Sequence, residues 1–215
     1  MSLDDIPQVQ AIENQSFSSP WSAQAYVQDL RSNRLAHYVV LREIPDNTQS
    51  PAPVSLTPAP SAPEHQGVGQ RLRLAWQRLR GRSARRPAAP RPPIIGFAGI
   101  WLMVDEAHLV TIAVAPGQRG KGLGELLLIG MIDLGCILGA NVMTLEVRVS
   151  NHVAQSLYRK YGLKNEGVRR RYYSDNGEDA MIMTTGTLTS ASYQTRYQGL
   201  KRALLAQVKV TLNLV

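Results

Sequence analysis

The sequence predicts a mixed α/β fold, a central mixed sheet with helices on both faces. Three observations carry that prediction. After two N-terminal helices and the strand that follows them, the elements run β-β-α-β-α-β-β. A glycine-rich stretch, residues 117–124, falls where a strand hands over to a helix. With 44% hydrophobic residues among 215, the chain can bury a core of ordinary size, which excludes wholesale disorder.

Ile6, Val9 and Ile12 recur at three-residue spacing and predict a first helix over 4–16. Ser22 is a good N-cap for a second helix carrying Ala25, Tyr26 and Leu30. Residues 37–44 are β-branched and aromatic, a strand. From Pro45 to Pro93 the prolines crowd, and the first half of that stretch has little with which to build a core. Its roughly 48 residues far exceed the usual connection of about 4–6. Regular structure resumes with strands over 94–101 and 108–114, joined by a tight turn near Asp105-Glu106. A long helix then runs to about Gly139. Residues 142–149 alternate as a strand, and Ser150-Asn151 cap a helix ending at Tyr161. Segments 163–173 and 179–185 pair around Ser174-Asp175-Asn176-Gly177. Past Gly186, Leu200, Ala203, Leu204 and Val208 mark an amphipathic helix over 200–208, expected to pack on the domain or on a second subunit. The predicted organisation is a domain over 1–186, interrupted by a disordered insert at 46–93 and followed by a C-terminal extension, 187–215.

The net charge of +8 is local. Between Val68 and Arg91 stand eight arginines and no acid, and the remainder balances at 16 basic and 16 acidic residues. A fold that binds nucleic acid on its folded face would carry the excess there. Within the basic segment, Leu72, Ala75, Trp76 and Leu79 fall at helical spacing among arginines. That pattern suits a solvated segment, a ribosome or RNA contact, or a membrane surface. Cys136 is the single cysteine, so no internal disulfide can form. The N-terminus lacks the cationic and apolar regions of a signal peptide. The apolar stretch 123–143 contains Glu125 and Asp133 and reads as a buried helix, not a membrane span. A cytoplasmic protein is expected. The four histidines show no metal-ligand spacing, so no metal is predicted; His108 and His152 read as surface residues.

Arg119-Gly120-Lys121-Gly122-Leu123-Gly124 would set a nest of backbone N–H groups at a helix N-terminus, suited to a pyrophosphate, with Arg119 and Lys121 as countercharge. A P-loop would need glycine at 115 and serine or threonine at 122, where Ala115 and Gly122 stand. A dinucleotide fingerprint needs G-x-G-x-x-G, and these glycines run G-x-G-x-G. Glu146 is the only acid in an apolar, β-branched strand, so it is paired, exposed on one face, or functional. A salt bridge to Arg148, on the same face, is the plain alternative. Tyr158, by position alone, reads as a core tyrosine. Cys136 lies mid-helix with no adjacent base and is unsuited to carry an acyl group.

Arg119, Gly122 and Gly124 occupy the specified positions of a (Q/R)-x-x-G-x-(G/A) acyl-CoA motif. Pro20-Trp21-Ser22, Leu145-Glu146-Val147-Arg148 with Ser150-Asn151, and Leu157-Tyr158 with Tyr161-Gly162-Leu163 follow in order. Arg169-Arg170 with Tyr172-Tyr173, and Glu178-Asp179-Ala180 with Ile182-Met183, complete the set. Over roughly 3–44 and 94–186 the chain resembles the GNAT (Gcn5-related N-acetyltransferase) superfamily, and within it the bacterial ribosomal-protein alanine N-acetyltransferases. The insert departs from that pattern.

The resemblance implies a GNAT fold, with a mostly antiparallel, splayed sheet that binds acetyl-CoA. Ile112, Ala113 and Val114 would pair with the pantetheine arm. Arg119, Gly120, Lys121, Gly122, Leu123 and Gly124 would hold the pyrophosphate, and Asn151 would bond near the thioester. Glu146 would be general base and Tyr158 general acid. Trp21, Tyr172 and Tyr173 frame the peptide cleft or simply pack; Arg169-Arg170-Arg171 steer an acidic peptide or the 3′-phosphate, or form a solvated face. The implied reaction is acetyl transfer to the free N-terminal α-amine of a protein, a ribosomal protein in particular, by direct attack on the thioester. About one α-amine in seven is neutral at pH 7, against about one lysine in 2,500, which lightens the base's task. The alternatives are a small-molecule amine or lysine as acceptor, or a catalytically idle protein that contacts ribosome or RNA through 68–91. A monomer or weak dimer is expected.

Overall fold

The computed structural model of the protein describes residues 1–43 and 91–208. What the sequence predicts for 44–90 and 209–215, the basic segment included, lies outside the described residues.

After one 3-10 turn over Leu3–Asp5, helix α1 spans Ile6–Ser16 and α2 spans Ala23–Ser32. The Ser22 hydroxyl starts α2 by accepting the Ala25 N–H at 3.2 Å. Strands β1 (Ala36–Arg42), β2 (Ile94–Met103) and β3 (Glu106–Val114) follow, then helix α3 (Leu123–Ile137) and β4 (Val142–Arg148). Helix α4 (His152–Lys160), the hairpin β5 (Lys164–Tyr173) and β6 (Glu178–Thr184), and helix α5 (Ala191–Gln207) complete the described chain. The six strands lie in the order β1-β2-β3-β4-β6-β5. Only β3 and β4 run parallel, as the intervening helix requires; the other pairs are antiparallel.

Helices cover both faces of the sheet. Against one face, Ile6, Val9, Ile12 and Tyr26 of α1 and α2 pack with Tyr38, Phe97 and Ala113. Against the other lies α3, whose Leu126, Leu127, Leu128, Ile129, Met131 and Ile132 are all fully buried. A helix apolar all round must be enclosed all round. The sheet encloses one side, and α5 covers part of the rest. The Tyr197 hydroxyl donates to Ile129 O at 3.1 Å and Asp133 Oδ1 at 2.7 Å, and Lys201 Nζ bonds Asp133 Oδ2 at 2.6 Å. Helix α5 begins at Ala191, earlier than its apolar stripe predicts, because Ser190 caps it and its first turns bury tyrosines instead of aliphatics. The β2–β3 turn is Val104-Asp105, one residue before the predicted position. Among the described residues, no helix is long and apolar enough to cross a membrane.

Two features of the sheet create the site. Between Gly99 and Ile100 the β2–β3 register shifts, with Thr111 opposite Gly99 and Leu109 opposite Ile100, so Val110 is the extra residue of a bulge. Gly99 is required there, since a Cβ would come 2.3 Å from the Tyr38 ring. Beyond the bulge the parallel strands part: β3 pairs with β4 only from Glu106↔Val142 to Leu109↔Leu145. Past that point β3 stays with β2 to Val114, and β4 stays with β6 to Arg148.

Candidate active site

The parting strands leave the β4-facing edge of residues 110–113 without a strand partner, so Ile112 and Ala113 offer backbone groups to an extended ligand. Val114 closes this edge, its carbonyl accepting Arg119 Nε at 3.1 Å. Just beyond lies the loop before α3. Gly120 and Gly122 both stand at φ +77°, a left-handed conformation that side-chain-bearing residues rarely adopt. Gly122 is the N-cap of α3, and no side chain caps it. The first amides of a 15-residue helix therefore open beside the splay. Arg119 braces this loop, its Nη2 also donating to Ser16 Oγ at 3.1 Å. Lys121 Nζ bonds Gln118 Oε1 at 2.7 Å.

Glu146 sits on β4 one residue past the last β3–β4 pair, with its side chain 7% exposed. His108 Nε2 donates to its Oε2 at 3.0 Å, and Arg169 Nη2 lies 3.2 Å from Oε1. The histidine hydrogen bond, with the two charges behind it, holds the Glu146 carboxyl below the usual glutamate range. The salt bridge to Arg148 does not form. Arg148 instead bonds Asp175 at 2.8 Å and Glu178 at 3.0 Å and stacks 3.8 Å from the Tyr173 ring centroid. Cross-strand partners reach each charge before its neighbour two residues along does. His108 is not a surface residue either, its side chain being 18% exposed. Sequence reading missed it because its role depends on β4 lying beside β3; its place two residues before the bulge is the only local signal.

Tyr158, on α4, is buried at the core's edge, and burial raises its phenol. Its hydroxyl has no hydrogen-bond partner among the described residues. Tyr173 lies within electrostatic range of both Tyr158 and Glu146 and is itself pushed up to about 12 by burial. Asn151 caps α4, its Oδ1 accepting the Ala154 N–H at 3.1 Å. Trp21 belongs to an aromatic cluster, its ring centroid 5.8 Å from those of Tyr26 and Trp101. The buried Glu13, whose carboxyl burial raises, accepts the Trp21 N–H at 3.0 Å and the Tyr26 hydroxyl at 2.9 Å. Tyr172 is exposed on the β5–β6 hairpin, edge-on to Tyr173. The α1–α2 loop and that hairpin meet where the Ser18 hydroxyl bonds Asp175 and accepts Arg148 Nη2 at 3.1 Å. Cys136 is free, with its thiol raised by burial, and belongs to none of this. Among the described residues, no group of three histidine, cysteine or acidic side chains could hold a metal ion.

A bulged, splayed sheet with a glycine loop at the N-terminus of its central helix defines a class of acyltransferase. Residues 91–163 match the acetyltransferase (GNAT) family. A protein of Bacillus subtilis strain 168, named as a ribosomal protein bS18-alanine N-acetyltransferase, is 34% identical over 183 residues, spanning 85% of this chain and 90% of its own length. The ribosomal protein bS18-alanine N-acetyltransferase of Escherichia coli K12 is 43% identical over 89 residues, 40% of this chain and 60% of that protein. The crystal structure of the ribosomal-protein-S18-alanine N-acetyltransferase from Escherichia coli superposes with a TM-score of 0.59 at 25% identity, covering 89% of this chain and 92% of that one. The chain belongs to the GNAT acetyltransferase family and is an acyltransferase.

Proposed function

We propose that this acyltransferase moves the acetyl group of acetyl-CoA to the free N-terminal α-amine of a protein, a ribosomal protein being the class of acceptor that its relatives' names supply. The observation that carries this reading is Glu146, a shielded carboxylate at the point where β3 and β4 separate, oriented by His108 and Arg169. A carboxyl held low is ionised and free to accept a proton at neutral pH, and an amine that ordinarily titrates near 7.7–8.0 asks less of it than a lysine would.

Acetyl-CoA supplies the acetyl group as a thioester. The amides from Arg119 to Gly124 suit its pyrophosphate, the free edge at Ile112, Ala113 and Val114 suits its pantetheine arm, and Asn151 stands near the thioester end. The amine nitrogen bonds to the acetyl carbon as the carbon–sulfur bond breaks. Glu146, through water, takes the proton the nitrogen loses. Tyr158, protonated at neutral pH because burial raises its phenol, gives a proton to the departing sulfur and regains one from solvent. Trp21, Tyr172 and Tyr173 flank the acceptor peptide.

Acetyl transfer from acetyl-CoA to short peptides with a free N-terminal alanine tests the proposal. Turnover is expected, and it disappears when the same peptides are N-terminally blocked. Turnover on small amines or on lysine side chains, with none on any free N-terminus, overturns the acceptor assignment.

A further inference from the structure

A cleft of about 660 Å³ lies between the C-terminal end of α4, the start of β5 and the N-terminal half of α5. No residue of the glycine loop, the splay or the Glu146 cluster lines it. Three cations do: Arg159, Lys164 and Arg196. Among the described residues, no acid lines it with them. None of the three makes an ion pair with a described residue. Arg159 Nη2 reaches only Gln155 Oε1, at 3.0 Å, and Arg196 Nη2 only Lys160 O, at 3.1 Å. The carboxylates of the neighbouring helix are already engaged. Glu125 holds Lys160 at 2.5 Å and the Tyr161 hydroxyl at 2.6 Å, and Asp133 holds Lys201 and Tyr197. One wall of the cleft carries the half-buried Tyr193 ring, backed by the buried Tyr197 ring with centroids 6.0 Å apart at 19°. Tyr193 is locked in place, its hydroxyl donating to Tyr161 O at 3.1 Å.

Like charges gathered at one concavity repel unless an anion joins them, and guanidinium groups match phosphate oxygens in geometry as well as charge. The part-exposed Tyr193 ring adds affinity for a planar ring. The volume is that of a small-ligand site. We propose that this cleft is a second binding site, separate from the acyl-transfer site, for a phosphate-bearing ring compound of the nucleotide class. Helix α5 builds it, contributing Arg196 and both stacked tyrosines.

Calorimetric titration of the full chain with AMP, ADP and ATP tests this, with adenosine as the uncharged control and each titration run both with saturating acetyl-CoA and without it. At least one nucleotide is expected to bind with a stoichiometry of one, and adenosine more weakly. Arg196→Gln is expected to weaken the nucleotide about tenfold or more, the usual worth of a charged hydrogen bond. Lys164→Gln, which removes no hydrogen bond of the fold, should weaken it too while acetyl transfer continues at the parent rate. Failure of all three nucleotides to bind at millimolar concentration overturns the proposal. So does binding that appears only without acetyl-CoA, which would make the cleft an extension of the donor's own site. Because the readout is binding and not turnover, it is independent of which acceptor the enzyme uses.

Discussion

Glu146 is ionised throughout the neutral range, because the His108 hydrogen bond holds its carboxyl low. On the proposed mechanism, its removal costs proton acceptance rather than donor binding. Glu146→Gln, nearly isosteric, should lower kcat by about 10²–10⁴ while KM for acetyl-CoA changes little, as steady-state kinetics would register. A second consequence concerns pH. With the base already ionised, the acid limb of kcat/KM belongs to the acceptor amine, so activity should climb with an apparent pKa between about 7 and 8. A limb below the usual glutamate range would mean that Glu146 itself limits. That Glu146 is unusual was legible from one line of sequence, an acid among β-branched residues. Its partners were not: His108 and Arg169 lie 38 and 23 positions away and meet it only across strands.

Among the elements, the β2–β3 turn departs furthest from local preference. Val104 takes φ +57° while 97% exposed, where a two-residue hairpin turn favours glycine. A β-branched side chain gains nothing there from burial and bears the strain. Val104→Gly should raise stability by about 1 kcal/mol, seen as a higher midpoint in urea, the relief of strain exceeding glycine's added unfolded-state entropy. Helix α5 illustrates the opposite limit of pattern reading. Its aliphatic stripe marks only its second half, while the half-buried Tyr193 and the buried Tyr197, bonded to the segment after α4 and to α3, anchor the first.

Across the whole molecule, Arg148 joins parts distant in sequence, tying the α1–α2 loop at Ser18 to the hairpin at Asp175 and Glu178. Hydrogen bonds from Ser18 and Ser150, and then Arg148, hold the two carboxyls at about 2. A depressed acid stabilises the fold above its ordinary pKa near 4 and loses that effect as pH falls toward 2. The hairpin should thus persist at pH 5 and loosen between about 4 and 2. Arg148→Gln should move that loosening upward, followed through the Tyr172 and Tyr173 ring resonances. The insert is a second matter of whole-molecule design. Arg42 pairs with Ile94, and the Glu43 N–H donates to Pro93 O at 3.0 Å, so the chain leaves and re-enters the sheet at neighbouring points. Replacing 46–91 with a short turn should preserve turnover, measured as acetyl transfer to a peptide with a free N-terminus.

The order of elements, the helix caps at Ser22 and Asn151 and the glycine loop were all determined by the sequence. Each depends on residues within a few positions of one another, where periodicity and backbone preference act directly. Only the tertiary structure decided that β3 and β4 part after Leu109, that His108 and not Arg148 faces Glu146, and that α5 encloses α3 and completes a cationic cleft. Those outcomes are set by contacts between segments tens of residues apart. Several partners were chemically acceptable for each charge and each apolar face, and packing chose among them by distance.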